Sequence, residues 1–308
     1  MPQELSYTIE EVAQLLKVSK LTIYDLVKKG ELPVFRVGRQ MRMDAKDLEK
    51  YIATSKSPAF TSAAGPPNRN EAKEASPLVI SGQDMVLDLL GQYIEKNSGH
   101  KALRSHKGSL NGLISMYNGE ADIVSLHMFD GDTGEYNLPY IKKILVGYPY
   151  VLLNLLSRKA GLYVRKGNPF NLAAWTDLTN DKLTFINRER GSGARILLDE
   201  QLRINKIPAK SLKGYENEES NHLSVASAVS SGAADVGVGI EKAAKLVGVD
   251  FVPLITERYD LVLLKTLKNE ELIKTVKTIV ASIPFQAEID ALGDYDISKT
   301  GSVIHETF

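Results

Sequence analysis

The chain has 308 residues, too many for one compact core and enough for two or three domains. Apolar residues make up 43% and charged residues 25%, and Lys+Arg and Asp+Glu balance at 38 each, so nucleic-acid binding must be local rather than general. The absence of cysteine excludes disulfides, thiolate metal sites, iron–sulfur clusters and cysteine nucleophiles. No basic patch followed by an apolar run opens the chain. The most apolar stretch, 144–157, is broken by Gly147, Pro149 and Asn154 and is too short to span a bilayer. The expectation is a cytoplasmic protein that engages no membrane.

At the N-terminus, Thr8-Ile9-Glu10-Glu11 has the form of a capping box and precedes Val12, Leu15 and Leu16 at helical spacing. Ser19 is the next candidate cap, for a second helix with Ile23, Leu26 and Val27 on one face and a stop at Gly30. Two short helices joined by a tight turn are a helix-turn-helix pattern. Strand alternation across the turn at Gly38-Arg39-Gln40 then predicts a two-stranded wing, with Phe35, Val37, Met41 and Met43 inward and Arg36 and Arg42 outward. Asp44 caps a third helix whose apolar face is Leu48, Tyr51 and Ile52. Between residues 17 and 42 stand seven basic residues against two acidic ones, enough local charge to neutralise phosphates.

"YTIEEVAQLLKVSKLTIYDLVKKGELPVFRVGRQMRMDAKDLEKYI", residues 7–52, resembles the excisionase-type winged helix-turn-helix, related to the MerR fold. The resemblance implies binding to double-stranded DNA. The second helix, with Lys20, Thr22, Tyr24, Lys28 and Lys29, would enter the major groove. The wing, with Arg36, Arg39, Gln40 and Arg42, would lie along the minor groove or backbone. One such module covers a short half-site, so a homodimer is expected.

Residues 53–76 hold one large apolar side chain, Phe60, and prolines at 58, 66 and 67. Such a segment cannot bury enough surface to offset its ordering entropy. It reads as a linker with a reach of roughly 25–30 Å. The domains are therefore drawn as 1–54, a linker at 55–76, and 77–308.

From Pro77 onward, apolar β-rich runs alternate with helical patterns, which argues for parallel sheets with helices on both faces. Three times a small hydroxyl or glycine pair stands before a helix: Ser81-Gly82, Gly108-Ser109 and Gly191-Ser192-Gly193. Helix N-termini offer free N–H groups and partial positive charge, and glycine permits close approach, so converging ends can hold an anion. Taken singly, each is more often an ordinary cap.

Segments such as "GSLNGLISMYNGEADIVSLHM" and "FINRERGSGARILLDEQL" resemble the periplasmic-binding-protein-like domain related to molybdate-binding proteins, in order over nearly all of residues 77–265. The resemblance implies an α/β, two-lobed type II domain whose lobes are joined by crossing strands and close on a ligand. It implies molybdate or tungstate as the sensed ligand, held by Ser81, Gly82, Ser109, Arg188, Arg190, Ser192, Gly193 and Arg195, with Tyr136 and His222 lining the cleft. Ala194 stands where the related motif has threonine, which removes one hydroxyl donor.

His127, Asp130, Asp132, Glu218, Glu219 and His222 form no His-x-x-x-His pair and no helix-spaced carboxylate pair, and the chain has no Gly-x-Ser-x-Gly elbow. Neither a metal, a catalytic cofactor nor an enzyme activity is expected. His127 and His222 are expected to orient cleft loops or touch ligand. The sequence reads as a one-component transcription regulator that senses an oxyanion. The alternatives are a regulator of another small anion or organic metabolite, and an excisionase-like DNA-architectural protein.

Overall fold

A computed structural model describes residues 6–16, 18, 20–28, 32–38, 40–48, 51 and 77–307. The chain divides into two compact units, 1–72 and 73–308.

In the first unit the strands are β1 (Ser6–Thr8), β2 (Phe35–Val37) and β3 (Gln40–Asp44), and the helices are Ile9–Leu16 and Lys20–Lys28. The capping box forms as the sequence predicts. The Thr8 backbone N–H donates to Glu11 Oε2 at 2.7 Å, and the Glu11 N–H donates to Thr8 Oγ1 at 3.3 Å. Ile9, Val12, Ala13, Ile23, Leu32, Met43 and Leu48 make the core. Two details depart from the expected wing. The sheet has three strands in the order β1-β3-β2, because Ser6–Thr8 pairs with Arg42–Asp44. With β3 central, only Met43 is fully buried, whereas Phe35 and Val37 on the edge strand are exposed. Ser19, Gly30, Ile52 and the linker segment 55–76 lie outside the described residues.

The second unit contains β4 (Leu78–Ser81), β5 (Ala102–Ser105), β6 (Ile123–Leu126), β7 (Tyr150–Val164), β8 (Phe185–Arg188), β9 (Glu218–Glu219), β10 (Val236–Ile240), β11 (Asp250–Leu264), β12 (Tyr295–Asp296) and β13 (Val303–Glu306). The strand order is β5-β4-β6-β11-β7-β10-β8-β9, with β12 and β13 also on β7. Parallel pairs β4·β5, β4·β6 and β8·β10 build the two lobe centres, as the β/α alternation predicts. The joining strands run against them. β7 and β11 pair antiparallel over 150–164 and 250–264, and both pass from one lobe to the other. The apolar stretch read at 144–157 is thus largely the start of a crossing strand buried on both faces.

Each lobe buries helices against both faces of its sheet. In lobe 1 the helices Val86–Ser98, Glu270–Val280 and Ile283–Leu292 cover one face, and Ser109–Tyr117 and Leu138–Ile144 cover the other. In lobe 2 Gly193–Ile204 covers one face, and His222–Ser230 with Glu241–Val247 covers the other. Among the described residues no helix is long and apolar enough to cross a membrane.

Candidate functional site

The helix-start loops meet where the lobes face each other. A small cavity of about 20 Å³ is lined by Gly82, Gln83, Asp84, Lys107, Gly108, Ser109, Ser125, His127, Arg158, Ser192, His222 and Tyr259. That is room for about one water-sized group with the lobes as they stand. The lobes touch directly around it. Gln83 Nε2 donates to Glu189 Oε1 at 2.8 Å and to the Ser220 carbonyl at 3.2 Å, and the Leu110 N–H donates to the Gly191 carbonyl at 3.0 Å. Two glycines permit this geometry. Gly82 has φ +144°, and a Cβ there would strike Ser125 Oγ at 1.9 Å; a Cβ on Gly108 would lie 2.9 Å from Ser192 Cα in the opposite lobe.

On the hinge side, Arg158 from β7 is paired with two carboxylates. Its Nε donates to Glu257 Oε1 at 2.6 Å, its Nη1 donates to Asp84 Oδ2, and its guanidinium lies 4.4 Å above the Tyr259 ring. Burial opposes its charge, but Glu257 and Asp84 more than restore it and raise its pKa. Burial would likewise raise the Glu257 carboxyl, yet His127 and Arg158 overcome that and hold it at about 2. Glu257 also bonds His127 Nδ1 at 3.1 Å. Asp84 accepts in addition from the Val86 N–H at 2.9 Å and from the Tyr295 hydroxyl at 3.1 Å. The Tyr259 hydroxyl lies 2.6 Å from Ser125 Oγ, and burial followed by Asp84 pushes it up to about 12.

The lobe 2 side is different. Arg188, only 2% exposed, donates Nη2 to Gln83 Oε1 at 2.6 Å and to the Ser220 carbonyl at 3.2 Å. Its nearest carboxylate, Glu189, is 3.5 Å away. Its Nε and Nη1 are buried and make no hydrogen bond, and the same holds for His222 Nδ1. Burial lowers the Arg188 pKa. Burial, then Arg188, Arg158 and His127, holds His222 well below its ordinary value. Ser109 Oγ accepts from the His127 backbone N–H at 3.3 Å, which leaves its own proton free to donate.

Of the residues singled out in the sequence, Gly82, Ser109, Ser192 and His222 line the cavity, as does His127. Arg188 lies behind Gln83, and Gly193 backs the His127 ring. Others go elsewhere. Ser81 is fully buried with its Oγ against Gly112, and Ser125 stands at the cavity wall in its stead. Tyr136 packs with Phe129, Ala160 and Leu197. Arg190 is exposed and pairs with Glu216 at 2.8 Å. Arg195 is buried, but its donors go to the Arg188 carbonyl and Glu218, and it stacks 4.2 Å from Tyr215. Ser192 spends its hydroxyl proton on the Glu189 carbonyl and caps the Arg195 N–H. Lys107 turns its ammonium to Ser115 and Glu120.

Sequence reasoning missed Gln83, Asp84, Arg158, Glu257 and Tyr259. A signal for two of them was present, since Arg158 and Glu257 are charges inside long apolar runs, where a buried charge must be paired. Among the described residues no three histidine or acidic side chains converge as metal ligands.

In the N-terminal domain Thr22, Tyr24, Lys28, Arg36 and Gln40 are exposed. Lys20 is exposed and paired with Glu10 at 2.9 Å, and Arg42 is half-buried with Nη1 donating to Ser6 Oγ at 3.3 Å. Lys29 and Arg39 lie outside the described residues.

Residues 6–56 match the family model of a helix-turn-helix domain, and residues 90–281 match that of the PBP superfamily domain. The chain is 50% identical over 312 residues to YvgK of Bacillus subtilis (strain 168), covering 100% of both proteins. Its fold is similar to a putative phosphate ABC transporter substrate-binding protein with bound phosphate from Clostridium perfringens, at 15% identity and a TM-score of 0.54, over 72% of this chain and 99% of that one. It is also similar to the tungstate ABC transporter from Geobacter sulfurreducens, at 14% identity and a TM-score of 0.53, over 70% of this chain and 98% of that one. With the two-lobed fold, the crossing strands and the interlobe cavity in place, the chain belongs to the PBP superfamily through its C-terminal domain, which an N-terminal helix-turn-helix domain accompanies as in a DNA-binding regulator with a ligand-binding domain.

Proposed function

We propose that this protein is a one-component transcription regulator. A cytoplasmic homodimer binds double-stranded DNA through its N-terminal domains and senses a small tetrahedral oxyanion in the C-terminal cleft, with molybdate and tungstate as the first ligands to try. One observation carries the ligand class. The buried groups left without partners include the Nε and Nη1 nitrogens of a cation, Arg188, whose Nη2 reaches Gln83 at the cavity wall, and the Ser109 hydroxyl proton is also uncommitted, whereas the carboxylates Asp84 and Glu257 are already engaged. Leaving a buried donor unmade costs about 1–3 kcal/mol, and an anion that accepts from it removes that cost. Fold similarity to a substrate-binding protein with bound phosphate and to a tungstate transporter is in keeping with an oxyanion.

The test is calorimetry and thermal shift on the full chain with molybdate, tungstate, sulfate and phosphate, because a ligand that binds only the folded state raises its melting midpoint. A response to at least one supports the reading, and silence with all four overturns it and moves an organic metabolite ahead. DNA binding that survives deletion of residues 1–56 would sink the assignment of the N-terminal domain. A monomer in sedimentation, with and without DNA, would count against the dimer.

A further inference from the structure

We propose that His222 couples anion capture to proton uptake, its ring taking one proton from solvent as a dianion enters the cleft. This rests on the oxyanion reading above and adds a regulatory input to the same site, namely pH.

His222 is the first residue of the helix His222–Ser230, which Asn221 caps, and it lines the cavity from lobe 2. Its Nδ1 is closed off from solvent and bonds no described residue, so a proton placed there would be free to serve an incoming acceptor. The charged and titratable groups facing the ring come from every wall. Arg188 stands at the end of β8, Arg158 on β7, and His127 after β6 with its ring centroid 6.3 Å away. Asp84 follows β4, Lys107 precedes the helix Ser109–Tyr117, and Tyr259 lies on β11. On the other side of the residue, Asp88 of the helix Val86–Ser98 is bridged to Arg104, and Lys242 of the helix Glu241–Val247 and Tyr295 of β12 line the same pocket. Glu257 reaches in behind His127, and Glu189 is tied to Gln83.

The sign of the field at the ring follows from how these groups are used. The carboxylates that could favour an imidazolium are spent: Asp84 on Arg158 and Tyr295, and Glu257 on Arg158 and His127. Burial and the cations then hold His222 neutral, well below the ordinary 6.5. The partial positive charge of the helix start acts in the same direction.

A dianion in the cavity reverses this balance. At an effective dielectric near 20, one full charge about 4 Å away moves a titration by about three pH units, and a dianion carries two charges. Neutral imidazole, dianion and one solvent proton then become an imidazolium–dianion pair in which the ring has gained a charge-assisted hydrogen bond. The consequence is linkage. Where the proton is taken up on binding, affinity falls about tenfold for each unit of rising pH.

The experiment is calorimetry of the full chain with tungstate and with sulfate between about pH 6.5 and 8.5, in buffers of different ionisation enthalpy. Both anions are fully ionised over that range, so a proton taken up belongs to the protein. The expected result is about one proton gained per anion bound, a tenfold loss of affinity per pH unit, and both effects abolished in His222→Gln. The buffer comparison reads proton uptake in the unaltered protein and so needs no variant to fold. Binding without proton uptake overturns this proposal and leaves the oxyanion reading standing. Uptake that persists in His222→Gln places the proton on another group and overturns it as well. No heat from either anion at any pH removes this input for the anions used, and silence with molybdate and phosphate too removes the oxyanion reading itself.

Discussion

Arg158 at the hinge and Arg188 in the wall of lobe 2 are both almost fully buried beside one cavity, yet their surroundings treat them in opposite ways. Two buried carboxylates pair with Arg158 and a tyrosine face lies against it. Arg188 keeps two nitrogens, Nε and Nη1, unpartnered and has its nearest carboxylate at 3.5 Å. A buried cation with matched partners belongs to the architecture, because removing either side strands a charge. A buried cation with spare donors is held ready for something that arrives.

The largest effect that would break this contrast is on stability. Arg158→Met leaves Asp84 and Glu257 buried without their cation and should cost about 3–5 kcal/mol in denaturant unfolding. Arg188→Met loses two hydrogen bonds to neutral oxygens and should cost no more than about 1–2 kcal/mol. Its effect should appear instead in oxyanion calorimetry, as a loss of affinity of about 10–100-fold. Equal destabilisation by the two substitutions would make Arg188 structural.

Acid sharpens the same contrast. The Glu257 carboxyl titrates at about 2 when folded against an ordinary 4.5, so its stabilising contribution is present above pH 4.5 and is lost as pH falls toward 2. That loss is on the order of 3 kcal/mol. A Glu257→Gln protein should show a flatter stability profile over this interval, and an unchanged profile would remove Glu257 from the hinge charge network.

Next come the two serines that the sequence treats alike. Ser109→Ala should weaken oxyanion binding about tenfold, because its hydroxyl proton is uncommitted at the cavity. Ser81→Ala should change affinity by less than about twofold, because Ser81 faces Gly112. Calorimetry on the pair checks both, and the reverse ranking would return Ser81 to the site.

The smallest effect lies in the N-terminal domain, where paired and unpaired cations again differ. Arg36 is exposed and makes no ion pair among the described residues, whereas Lys20 is bridged to Glu10. Arg36→Ala should weaken DNA binding at all sequences and lower the slope of log affinity against log salt by about 1. Lys20→Ala should lower it by less. Fluorescence anisotropy across a salt series reads both slopes.

The sequence by itself determined the elements and their order. The reciprocal Thr8–Glu11 cap, the helix starts after Gly108 and Gly191-Ser192, and the lobes built from β/α alternation were all legible, because capping chemistry and hydrophobic periodicity are local in the chain. Which side chains meet in the cleft was decided only by tertiary structure. Ser81 and Ser109 sit in similar contexts, each beside glycine ahead of a helix, yet the pleat at the end of β4 turns Ser81 under the helix Ser109–Tyr117. Arg190 and Arg195 flank the same glycine motif as Arg188, but their charges are met by Glu216 and Glu218, which no spacing rule connects to them, and by Asp199 one helical turn beyond Arg195. Phe35 and Val37 alternate as inward residues should, but they fall on an edge strand and are exposed among the described residues. Arg158 and Glu257 lie 99 positions apart and meet because β7 and β11 cross antiparallel between the lobes. Pairing of buried charges is a long-range matter of register and burial, and a linear sequence carries only the sign that such a charge will need a partner.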